Sequence, residues 1–220
     1  MSGLEDLWEE GDKKMTHSLH RKGDTENLCE DYVMLIMAPR DQMKDPEVKS
    51  KMRQMWDILS GFEAELANFG AIRGGGRHKK TMEEFKEEDK FIVHAVFKEK
   101  DALKSCLVKM KEKDLGLSVS VSGLYGEVEE VCSEIGLAPH TVQYSLGVMG
   151  NRDNLPDGDV LNVATMCGHA MVSPNLISHL MGKIEKGRMT HGEAAMELSR
   201  QCECGIFNPH RAERLLRELV

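Results

Sequence analysis

Three helix starts are written between positions 173 and 209, and they constrain this chain more than any other feature. Ser173-Pro174 and Asn208-Pro209 each place an N-cap residue before a proline at the first helical position, where the missing N–H costs nothing. Thr190 followed by Glu193 reads as a capping box. These starts predict four short helices, over about 159–166, 174–187, 190–200 and 209–219, with Gly187 closing the second. The polar, turn-rich stretch 151–158 (NRDNLPDG) precedes them as a boundary.

Those boundaries decide where the cysteines lie. Cys167-Gly168-His169 falls between the first and second helices, and Cys202-Glu203-Cys204-Gly205 between the third and fourth. If the helices run up and down, alternate loops share one end of the bundle, so the two cysteine loops are expected together. Cys202 and Cys204 converge on one point only from irregular backbone, and Gly205 supplies that freedom.

Thiolates are soft ligands that suit zinc or iron–sulfur clusters. With His169 as fourth ligand, Cys167, Cys202 and Cys204 describe a closed structural zinc site. With three protein ligands only, a 4Fe-4S cluster keeps one iron open to a ligand, a departure from the usual four cysteines. Gly168, Ala170 and Gly205 leave room for the bulkier group. The expectation is therefore an iron–sulfur centre acting in redox chemistry or ligand activation, with zinc as the alternative and a non-catalytic assembly module as the rival class. A disulfide-exchanging pair is a third reading, for which CxC is less typical than CxxC.

Upstream, short apolar runs over 32–37, 91–97, 117–121 and 141–148 read as strands. Helical spacing is read over 46–69, 102–114 and 127–135. Strands alternating with helices predict a ferredoxin-like α/β sandwich with helices on one face of the sheet, followed by the small helical unit. The domain reading is a polar N-terminal arm over 1–30, the sandwich over 31–150 and a cysteine-containing helical domain over 151–220.

Within the sandwich, Ser122, Gly123 and Gly126 lead from a strand into a helix, a place where backbone amides hold anions; they are the candidate cofactor-binding residues, with Gly147 and Gly150 expected nearby. A tight turn explains the same glycines. Residues 73–80 (RGGGRHKK) read as a flexible, solvated linker. Cys106 and Cys132 fall on apolar helix faces as inert core residues, and His94 as a satisfied strand histidine. Asn208 serves as a cap, while His210 and Arg211 in the same turn stand where an anion would approach.

A net charge of -8 argues against nucleic acid as a partner. No apolar run approaches the roughly 20 residues that span a bilayer. The acidic opening MSGLEDLWEEGDKK lacks a signal peptide's apolar stretch, so a cytoplasmic location is expected, where cysteines stay reduced. The expected partner is a small molecule or a protein redox partner.

Overall fold

The computed structural model describes residues 21–143, 145 and 151–220. Its centre is the apolar run YVMLIM, strand β1 (Tyr32–Met37). Side chains alternate along a strand, so β1 serves two cores. Tyr32, Met34 and Ile36 enter one cluster and Val33 the other, with Leu35 packed beside it. Around β1 lie β2 (Leu66–Ala71), β3 (Gly75–Gly76), β4 (Ile92–Phe97) and β5 (Ser118–Ser122), in the order β3-β2-β4-β1-β5 with all neighbours antiparallel.

Helix α1 (Thr25–Leu28) precedes β1. The first face of the sheet is covered by α2 (Pro46–Ser60), α3 (Met82–Lys86), α4 (Lys100–Lys113) and α5 (Tyr125–Glu134). Asp45 caps α2 through the Glu47 N–H with Pro46 at its start, and Val48, Met52, Met55, Trp56 and Leu59 form its buried stripe. The aromatic centre of this core is Trp56 stacked on Phe85 at 5.6 Å, with Phe69 edge-on to both. On β5, Val119 and Val121 pack against this core while the serines take the other face, as its alternation predicts.

The helix expected over 46–69 is corrected in its second half. It stops at Ser60, and Leu66–Ala71 is a strand buried along its whole length. Phe62, Leu66 and Phe69 continue the helical spacing of α2, but Gly61 caps the helix and the later residues cross the sheet interior. The strand expected over 141–148 is absent from residues 141–143 and 145; the rest of it, with Gly147 and Gly150, lies outside the described residues.

Helices on one face is a second correction. The C-terminal helices α6 (Gly158–Ala164), α7 (Pro174–Glu185), α8 (His191–Arg200) and α9 (Pro209–Leu219) fall close to their expected bounds and cover the second face. Val33, Ala67 and Val96 share one core with Val163, Ile177, Leu180, Leu198, Phe207 and Leu216. The Thr190/Glu193 capping box forms, and Asn208 accepts the Arg211 N–H. No helix among the described residues is long and apolar enough to cross a membrane.

Two segments read as solvated are integral. Gly74, Gly75 and Gly76 are buried, and residues 71–76 turn from β2 into β3. Over the described part of the polar arm, Arg21, Asn27 and Leu28 are buried, held by contacts to α9 that no local pattern encodes.

Candidate functional site

The two cysteine loops leave α6 and α8 at the same end. After α6 the Cys167 carbonyl accepts the Ala170 N–H at 3.0 Å, and Ala170 takes a left-handed φ of 54°. After α8 the Gly205 N–H returns to the Cys202 carbonyl at 3.2 Å. Gly205 sits at φ 69°, and a Cβ there would stand 2.7 Å from both the Gly76 Cα and the Phe69 carbonyl oxygen. Glycine is therefore required twice, for conformation and for close approach to the hairpin.

The CxC loop docks on the open end of the sheet through three polar contacts. The Gly75 N–H donates to the Glu203 carbonyl at 2.9 Å. His94 Nδ1 lies 3.0 Å from the Cys204 carbonyl oxygen, an acceptor, so this nitrogen carries the proton. Asn68, fully buried at an irregularity of β2, joins the sheet to both neighbours. Its amide donates to Ser199 Oγ at 3.1 Å and to the Phe207 carbonyl at 2.9 Å, while its oxygen accepts from the Phe69 and Arg77 amides.

Cys167, Cys202 and Cys204 are 3%, 0% and 7% exposed, so all three sulfurs lie inside the protein. The Cys202 thiol donates to the Cys167 sulfur, which also accepts the backbone N–H groups of Met171, His169 and Val172. The thiol proton on Cys202, then these amides, outweigh burial and bring Cys167 down to about 6 from 9.0. Cys202 is pushed far above the ordinary thiol range by its bond to Cys167 and by burial, although the Cys204 and Ile206 amides oppose this. The pair thus loses its first proton early, at Cys167, and holds the second. Burial and then the charge of Cys202 raise Cys204, whose sulfur accepts the Arg73 N–H. His169 Nδ1 lies 3.7 Å from the Cys204 sulfur.

A buried ionic network adjoins the CxC loop. Asp31 pairs with Arg21 and, at 2.9 Å, with Arg211, all three side chains being inaccessible to solvent. Arg211 also donates to Asn27 and to the Lys22 carbonyl, and Asn208 donates to the Glu30 carbonyl and Asp31. Arg211 is thereby committed inside the protein, which corrects its reading as a residue facing an approaching anion. Arg21 donates to the carbonyl of Ile206, whose N–H serves Cys202.

The structure thus brings Cys167, Cys202, Cys204 and His169 to one place. Among the described residues, no group of three or more His, Cys, Asp or Glu side chains is arranged to hold a metal ion, because the donors stand as two pairs, Cys167 with Cys202 and Cys204 with His169. Ser122, Gly123 and Gly126 are elsewhere. Ser122 is level with Val33 on the outer strand β5, three strands from Asn68 and so roughly 14 Å across the sheet. A Cβ on Gly123 would meet the Tyr32 ring at 2.7 Å, which gives that glycine a packing role, while Gly126 faces open space and the buried Ser122 hydroxyl has no hydrogen-bond partner. Asn68, Asp31 and Arg73 escape sequence reading; the buried glycines of the hairpin were the signal for Arg73. Comparison with protein-family models, curated proteins and solved structures finds no match.

Proposed function

We propose that this chain holds an iron–sulfur cluster, of the 4Fe-4S type, on Cys167, Cys202 and Cys204, and that its work is redox chemistry or activation of a ligand at an iron without a protein thiolate. The carrying observation is the supply of backbone amides to buried sulfur. His169, Met171 and Val172 serve Cys167, Cys204 and Ile206 serve Cys202, and Arg73 serves Cys204. Buried neutral thiols have little need of such donors, whereas thiolates and cluster sulfurs are stabilised and tuned by them. The two guanidinium groups on the single Asp31 carboxylate leave surplus positive charge next to the loop, which favours an anionic centre. Binding replaces the Cys202 thiol proton with metal, so the bond within the Cys167–Cys202 pair gives way to coordination.

The second reading is zinc, favoured by one observation: His169 Nδ1 already faces the Cys204 sulfur at 3.7 Å, as a fourth ligand would. For the scaffold we propose a ferredoxin-like sandwich. It is supported by the order β2-β4-β1-β5, with α2 linking β1 to β2 and α4 linking β4 to β5, β3 being an added edge and α6–α9 a second layer. A cytoplasmic setting and a small-molecule or protein redox partner accompany this reading.

Anaerobic purification with visible absorption and iron, sulfide and zinc analysis tests it. Brown protein with iron and acid-labile sulfide, both lost in Cys202→Ser, is the expected result. Colourless protein with one zinc per chain, lost in the same variant, would establish zinc instead, and metal-free protein purified without air would sink both readings.

A further inference from the structure

The β2–β3 hairpin carries a basic segment to Cys204, and its cations differ in how they are used. Arg77 donates to the Leu66 and Ala67 carbonyls and lies over the Phe69 ring. Lys79 pairs with Glu203, Lys80 with Glu88, and Arg200 of α8 with Glu197. His78 is held toward its neutral form by burial first, then by the charges of Lys79 and Arg200. Arg73 alone among these cations is given no hydrogen-bond or ion-pair partner for its side chain within the described residues.

Arg73 is exposed and adopts φ 55°, a left-handed conformation that glycine takes without strain. Three glycines follow it directly, yet the strained position carries the long cation. Strain held in a tight turn points to a use for the side chain rather than for the backbone. The Arg73 N–H donates to the Cys204 sulfur, and exposed His169 lies 3.7 Å from that same sulfur, so the two residues flank it.

We propose that Arg73 and His169 bind a small oxyanionic ligand, one presenting a carboxylate or phosphate group, on the solvent side of Cys204. The inference deepens the cluster reading and rests on it, since the ligand lies at the open position of that centre. A guanidinium grips either group through paired N–H donors, and an imidazole N–H supplies a third. The chain as a whole carries a charge of -8 and repels anions, so an unpaired cation at the site selects where one settles.

The test uses the full chain purified anaerobically, titrated calorimetrically with malonate and with inorganic phosphate, with iron, sulfide and zinc measured on the same samples. Arg73→Gly and Arg73→Asn both suit the left-handed backbone and keep the N–H to Cys204. Saturable binding of at least one anion is expected in the wild type, and preference between the two identifies the group recognised. Both variants should keep wild-type metal content and melting temperature while affinity falls roughly ten- to a hundredfold, the effect of losing hydrogen bonds to a charged group. No saturable binding by iron-loaded wild type, or equal affinity in the variants, would overturn the anion site and leave the cluster standing. Loss of metal with affinity in both variants would make Arg73 a structural part of the centre and overturn its ligand role. Arg73-dependent binding by a chain without iron would support the anion site and refute the cluster.

Discussion

Cys106 and Cys167 are both buried, and their thiols are pushed in opposite directions. Cys106 lies on α4 in the core of the first sheet face, and burial raises it to about 12. Cys167 lies in a loop on the second face and falls to about 6, because a thiol and three amides donate to its sulfur. The difference is in backbone. A helix spends its N–H groups on its own carbonyls, so a cysteine inside one finds only apolar neighbours. A loop leaves amides free to turn toward sulfur. The same contrast holds for the two faces at large: the first is apolar and aromatic, while the second is threaded by Asn68, His94, Asn208 and the Asp31 pairs.

The sharpest way to break this comparison is at Arg211. Replacing it with Met removes one partner of the buried Asp31 and strands Asn27 and the Lys22 carbonyl; a loss of about 3–5 kcal/mol in urea unfolding is expected. A loss below 1 kcal/mol would show that the ionic network does not hold the second face. Next comes Asn68→Ala, which leaves the Ser199 hydroxyl, the Phe207 carbonyl and two amides without their partner. About 2–3 kcal/mol is expected, with metal content falling more steeply than in any first-face substitution of equal cost.

The pH dependence separates the faces with a smaller effect. In metal-free protein, Cys167 falls from 9.0 to about 6, so its stabilisation is fully present above pH 9 and is lost as pH drops through 6. Cys202 is raised from 9.0, so its contribution is present below pH 9 and fades above it. Stability of the metal-free chain should climb from pH 6 to 9 and decline beyond, and Cys167→Ala should flatten the rise; an unchanged profile in that variant would contradict the assignment. The smallest effect is at Thr190→Ala, which removes the α8 capping box for about 1 kcal/mol without changing the cysteine loops. Thermal unfolding and metal content measured together check both halves.

What could be read from the chain alone follows the range of the forces involved. The helices α6 to α9 were legible because Pro174, Thr190 with Glu193, and Asn208 with Pro209 act within one turn of themselves. Convergence of Cys167 with Cys202 followed from those helices and their alternating loops. Strand β2 was hidden because Leu66 and Phe69 keep the spacing of the preceding helix, and only burial on both faces distinguishes them. The anchoring of Arg21 and Asp31 depends on Arg211 at the far end of the chain, which local patterns cannot carry. The amides around the sulfurs belong to backbone, on which the identity of His169, Met171 or Val172 has little bearing. Arg73 was passed over because a basic, glycine-rich stretch resembles a linker until its glycines are seen to be buried.

The contrast between the two buried cysteines is tested most directly by iron and acid-labile sulfide per chain, measured side by side on anaerobically purified wild type, Cys106→Ser and Cys167→Ser. Iron and sulfide in the first two, and neither in the third, are the predicted result. Equal content in all three, or no iron in the wild type, would contradict it.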